Sequence, residues 1–230
     1  MCVIIGLDGY LNRMPRYKNT TASEVYAIEE YLRQQIAKAE GKEYADCTFE
    51  EWCGLDESKL PSKDVIDYYK QFYTKRYSYW DTEHKYGYDQ IMEQVGYWRK
   101  SNQIHNFFVE NVQDGYDDCK YHRECTQEVL ENLLDRCKKV LTGSIMMLGK
   151  VKNGQRYVGG KWIDDMELGK IIINPEIAAE LLPFRDGFFF GNCEYDQWYM
   201  QDIESTIEII EDVLKTTNFK TQMLFYVSSW

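Results

Sequence analysis

The sequence predicts an α+β protein in which several amphipathic helices pack with a small, mainly antiparallel sheet. Three observations carry this. Apolar residues recur at helical spacing in four separate stretches. Short apolar runs bounded by glycine, asparagine and proline mark strands near the start, in the middle and at the end. No internal repeat or low-complexity linker divides the chain, so its 230 residues, 44% of them hydrophobic, read as one domain spanning 1–230. A β-hairpin insertion at about 143–172 is the one local addition.

The elements follow in order. CVIIGLDGYL reads as a strand entering a turn. Thr21-x-x-Glu24 is a capping box for a helix kept in phase by Val25, Ile28, Leu32, Ile36 and Ala39 until Gly41 stops it. A second box, Thr48-x-x-Glu51, opens a short helical piece, and Ser62 caps a helix running to about Tyr73. After a tyrosine-rich loop, residues 96–119 show helical periodicity. Trp98, Ile104, Phe107, Phe108, Val109 and Val112 share one arc, opposite Arg99, Gln103, Asn106 and Glu110. Residues 126–141 form the next helix. Asn153-Gly154 then supplies a hairpin turn between two strands, IIIN adds a strand, and Pro175 starts a short helix that Leu182-Pro183 ends. A loop, RDGFFFGNCEYD, leads to a long helix over 196–214, and TQMLFYVSSW is the last strand.

Charge and cysteine usage narrow the function classes. A net charge of −11 opposes general binding to nucleic acid or to anionic lipid. Between 176 and 212 ten acidic residues face the single base Arg185. No stretch has the length and apolarity of a membrane span, and residues 1–10 lack the pattern of a secretory signal. The expected location is therefore cytosolic, with the seven cysteines as reduced thiols.

Chemistry-bearing residues sit where helical periodicity expects apolar ones. His105 and Ser101 fall inside the apolar arc and Asn102 at its edge, and a buried imidazole without partners costs about 1–3 kcal/mol. In the last helix Asp202 falls among Trp198, Ile209 and Val213, which calls for a cation or several donors, with His105, Arg99 or Arg185 as expected partners. Trp98, Arg99, Lys100, Asn102 and His105, with Arg185 near Phe188, Phe189 and Phe190, are the types that stack on a base and hold phosphate, and the expected ligand-binding cluster is Arg99, Asn102, His105, Asp118 and Arg185. Asp202 would orient them. A local basic pocket in an acidic surface would select a compact anion such as a nucleotide.

Two enzymatic patterns compete. Asp114, Asp117 and Asp118, on the turn after the His105 helix, are carboxylates of the kind that hold magnesium in phosphoester chemistry. Cys119, His122 and Cys125 offer a C-x-x-H-x-x-C zinc pattern without the paired C-x-x-C knuckle, with Cys137 or Cys193 as a fourth ligand. No phosphate-binding or dinucleotide glycine motif and no nucleophile elbow is present, so no cofactor is expected.

The segments YWRKSNQIHNFFVENVQDGYDDC, LLPFRDGFFFGNCEYDQWYMQDIE and FYVSSW, with GLDGYLNRMPRY near the start, resemble a family of small accessory proteins of tailed bacteriophages and prophages. The resemblance covers roughly half the chain and implies a product acting in the cytoplasm of an infected bacterium. It implies no chemistry. Together these readings predict a non-catalytic binding protein that counters host defence, by sequestering a small nucleotide signal or by covering a host defence protein with an acidic surface. A metal-assisted phosphoesterase using His105, Asp114, Asp117 and Asp118 is the enzymatic alternative.

Overall fold

The structure is a computed structural model, and it describes residues 6–41, 48, 50–51, 58, 60–77, 87–187 and 190–230. Phe188, Phe189, Cys2, Cys47, Cys53 and much of the tyrosine-rich loop lie outside the described residues, as does the start of the first expected strand.

The fold is mixed α+β, with helices and small antiparallel sheets. Strand β1 (Asp8–Pro15) is followed by helix α1 (Ala22–Ala39), α2 (Lys63–Lys70), β2 (Thr74–Tyr77), β3 (Gly87–Gln90) and β4 (Glu93–Arg99). Then come α3 (Asn102–Val112), α4 (Gln127–Gly143), β5 (Met146–Val158), β6 (Lys161–Ile172), α5 (Glu176–Leu181), α6 (Gln197–Thr216) and β7 (Gln222–Ser229). One sheet has the order β4-β1-β7, and β2-β3 and β5-β6 are two-stranded. None of the described helices is long and apolar enough to cross a membrane.

The chain divides into two compact units. One comprises the residues up to Leu11 with Val95–Thr217 and Tyr226–Trp230; the other is Asn12–Gln94 with Asn218–Phe225.

In the second unit, the α1 capping box forms in both directions: Glu24 N donates to Thr21 Oγ1 at 3.3 Å, and Thr21 N donates to the Glu24 carboxylate at 2.7 Å. Thr48 and Glu51 make the same exchange. Ser62 precedes α2 without capping it, because its hydroxyl donates to Asp64 instead, and α2 ends at Lys70, short of Tyr73. Val25, Ile28 and Leu32 of α1 are buried, as is Tyr69, whose hydroxyl donates to the Pro15 carbonyl at 2.9 Å.

In the first unit, α4 packs against α6, burying Leu130, Leu133, Cys137 and Val140 with Ile203, Ile210 and Val213. Thr126 and Asp196 cap these helices with side-chain oxygens. The expected helix at 96–119 is shorter than its periodicity suggested. Trp98 and Arg99 belong to β4, and Lys100 at φ 59° turns the chain before α3 begins. Gly96 permits this strand: a Cβ there would lie 2.9 Å from the Trp98 ring and 3.1 Å from both Ile209 and Leu11.

The middle hairpin also differs from its reading. Asn153-Gly154 is a register irregularity inside the ladder, and the turn is Gly159-Gly160, with φ of 58° and 85°. A tight hairpin turn of this kind needs positive φ at both central residues. At 153–154 only Gly154 has it, so the pair makes a bulge rather than the reversal. IIIN is the end of β6 and the exit from it, rather than a separate strand.

Candidate functional site

The first unit holds a linked chain of polar groups. His105, 1% exposed on α3, places Nδ1 at 2.9 Å from the Tyr226 hydroxyl and Nε2 at 3.0 Å from Asp117 Oδ2. Asp117 also accepts from Arg185 Nε at 3.0 Å and from Trp230 Nε1 at 2.9 Å. Burial opposes the Asp117 charge, but His105, Trp230 and Arg185 outweigh it and hold the carboxyl below its ordinary range. A charged carboxylate only accepts, so His105 Nε2 carries a proton and, in the neutral ring, Nδ1 accepts from Tyr226.

Two local features place the tyrosine. Its ring stacks on Phe108 at 4.2 Å. Gly9 leaves room for its hydroxyl, since a Cβ there would come within 2.6 Å of Oη. Burial drives the Tyr226 pKa well above its usual value, so this hydroxyl is neither acid nor nucleophile near neutrality. Arg185 extends the chain outward, donating to Asn106 Oδ1 at 3.1 Å and Glu110 Oε1 at 3.3 Å.

The remaining expected residues form separate groups. Trp98 is buried, its indole donating to Thr206 Oγ1 at 3.0 Å. Arg99 grips both Asp8 oxygens at 3.0 Å, and Tyr97 donates to the same carboxylate at 2.6 Å. Asn102, fully buried, donates to the Asn192 carbonyl at 3.1 Å and so ties α3 to the loop before α6. Asp202 does link α3 with α6, but its donor is Gln103 Nε2 at 3.0 Å rather than His105, Arg99 or Arg185. Burial raises the Asp202 pKa against the bonds from Gln103 and Ser101.

The three turn carboxylates diverge. Asp114 pairs with Arg123 at 2.6 Å, Asp117 faces His105, and Asp118 meets His122 Nε2 at 2.7 Å. Each is matched by its own base, which leaves no shared anionic pocket for magnesium. Cys125 is wholly buried, and burial pushes its thiol up to about 12, so it stays protonated near neutrality. Among the described residues no group of three His, Cys, Asp or Glu side chains is arranged to hold a metal ion. The described cysteines, Cys119, Cys125, Cys137 and Cys193, are free.

Sequence reasoning missed two features. Glu29, 4% exposed in the second unit, accepts from the Ile91 and Met92 amides at 2.6 Å each, and burial lifts its pKa to about 7. Its spacing from Val25 and Leu32 on the buried face of α1 was the available signal. The second is the β5-β6 hairpin. Of fifteen exposed large apolar side chains among the described residues, ten lie between Ile145 and Ile173, including Leu148 at 72%, Leu168 at 75% and Trp162 at 67%.

The fold and these networks define an α+β protein with a closed polar core and an exposed apolar ribbon. Compared with known proteins, the chain matches no protein-family model, no curated protein and no solved structure.

Proposed function

We propose that this is a non-catalytic binding protein whose target is another protein. In the setting implied by its resemblance to phage accessory proteins, it counters host defence by occupying a host factor. The observation that carries the reading is the concentration of exposed apolar side chains on one hairpin, ten of fifteen in the described residues. Exposed apolar residues scattered singly need no explanation, whereas ten gathered on one hairpin are what an interaction surface presents.

The polar core supports the same direction. Arg99 and Arg185 each face a carboxylate, and Trp98 is buried, so phosphate capture by these residues would have to displace an internal ion pair. The His105 chain ends on a neutral, buried tyrosine rather than on a group open to substrate.

The test presents tagged wild-type protein and a Leu148→Asp, Leu168→Asp variant to a bacterial lysate, with mass spectrometry of bound proteins and of small molecules released on denaturation. A host protein held by the wild type and lost by the variant supports the reading. An intact nucleotide released from both overturns it in favour of sequestration.

A further inference from the structure

Pairing of Met146 with Ile172, Leu148 with Lys170, Lys150 with Leu168 and Lys152 with Met166 puts these side chains on one face of the ribbon. On it three lysines alternate with aliphatic residues. Lys152 pairs with Asp164 at 2.8 Å, while Lys150 and Lys170 have no acidic partner among the described residues. The hairpin from 145 to 173 holds five basic and three acidic residues in a chain of net charge −11, so the ribbon is locally basic on an acidic protein.

The ribbon's two edges differ. On the β6 side, Ile172 N donates to the Tyr195 carbonyl at 2.8 Å and Lys170 N to Gln197 Oε1 at 3.0 Å, so that edge is partly closed. These bonds also show that even-numbered residues turn their backbone groups outward. On the β5 side, the outward groups of Leu148, Lys150 and Lys152 have no partner among the described residues. An open strand edge is a template for a further strand. A cleft of about 430 Å³ beside it is lined by Lys150 and Lys152 but also by Asp164, Glu194 and Asp196, so the open edge with its lysines, and not this cleft, is the basic ground.

We infer that the β5 edge and the face carrying Leu148, Lys150, Lys152, Met166, Leu168 and Lys170 bind an extended segment of a partner protein in which acidic and apolar residues alternate. The inference rests on the protein-binding reading and names the chemistry of the segment. Strand addition matches backbone to backbone, carboxylates on alternate residues meet the lysines, and the apolar residues between them turn to the opposite face, where Met147 is exposed beside the β5 edge. A second copy joined through the same edge would bring Lys150 and Lys152 against their own equivalents, a like-charge pairing that disfavours it. Tyr157 and Trp162, both exposed, lie beyond these lysines toward the hairpin turn, and the net charge of −11 disfavours a polyanionic strand as their partner.

Fluorescence anisotropy with the full chain tests this. The probes are a labelled eight-residue peptide alternating Glu and Val, its Lys-Val counterpart, an N-methylated Glu-Val version that cannot donate along one edge, and an oligodeoxythymidine strand. Binding of Glu-Val is expected, weakened about tenfold or more by N-methylation and by a Lys150→Glu, Lys152→Glu, Lys170→Glu variant, which should then accept Lys-Val. Equal affinity for both peptides, indifference to N-methylation, or preference for the oligonucleotide overturns the inference. If Glu-Val does not bind while Leu148→Asp, Leu168→Asp still abolishes host-protein capture, the segment chemistry falls and the protein-binding reading stands.

Discussion

His105 is held by Tyr226 on one nitrogen and Asp117 on the other, both within 3.0 Å, so removing its ring strands a buried hydroxyl and uncouples a carboxylate. His105→Ala should cost about 2–3 kcal/mol in urea unfolding. Asp202 shares none of these partners, because its donor is Gln103. The losses from His105→Ala and Asp202→Ala should therefore add to within about 0.5 kcal/mol in the double variant, and a larger coupling would show that the two groups act as one cluster. Asp117 carries a pH signature. Its folded carboxyl lies below the ordinary value, so its stabilisation is present above about pH 4 and lost as pH falls through the lower folded value. Asp117→Asn should remove that part of the acid limb in a stability profile. An unchanged limb would mean that the charge of Asp117 does not support the chain.

At the scale of elements, much was legible because local chemistry decides it. The Thr21 to Glu24 box and the spacing of Val25, Ile28 and Leu32 each act within a turn or two of helix, and each is found where the sequence put it, while the helices expected from 126 and 196 begin there with Thr126 and Asp196 as their caps. What failed was decided by distant partners. Trp98 and Arg99 carry helical spacing, yet Gly96 lets the chain approach Leu11 and Ile209 as a strand. Asn153-Gly154 has hairpin composition, but Gly159-Gly160 supplies two consecutive positive φ angles and takes the reversal. The candidate site divides in the same way: the burial of His105 and the half-buried place of Asp202 could be read from periodicity, whereas Asp117, Tyr226 and Gln103 as their partners could not, because they come from other segments. Glu29 shows what such a partner does. Two backbone amides bind it in a dry place, and its folded pKa of about 7 exceeds the ordinary 4.5, so the folded chain holds the proton more tightly. Stability from this group is thus full below about pH 4.5 and declines as pH rises toward 7, by about 3 kcal/mol. Glu29→Gln keeps the acceptor and should flatten the loss. A wild-type urea midpoint that does not fall between pH 5 and 8 would rule out the protonated form.

For the molecule as a whole, the question is which charge a partner meets. Exposed Glu204, Glu208, Glu211 and Asp212 of α6 offer an acidic face, and the hairpin offers lysines among aliphatic side chains. The two surfaces predict different responses to salt. A contact made by the α6 carboxylates would be attraction between opposite charges, weakening steeply as ionic strength rises and the screening length falls to about 8–10 Å. An acidic segment docked on the hairpin is attracted by three lysines but repelled by a chain of net charge −11, and the aliphatic part of the contact ignores salt. Attraction and repulsion are screened together, so affinity for the Glu-Val peptide should change by less than about threefold between ~0.05 M and ~0.2 M salt. The captured host protein should behave in the same way if it uses this surface. A steep salt-dependent loss, retained in the Leu148→Asp, Leu168→Asp variant, would instead place the contact on α6 and leave the hairpin without a part in it.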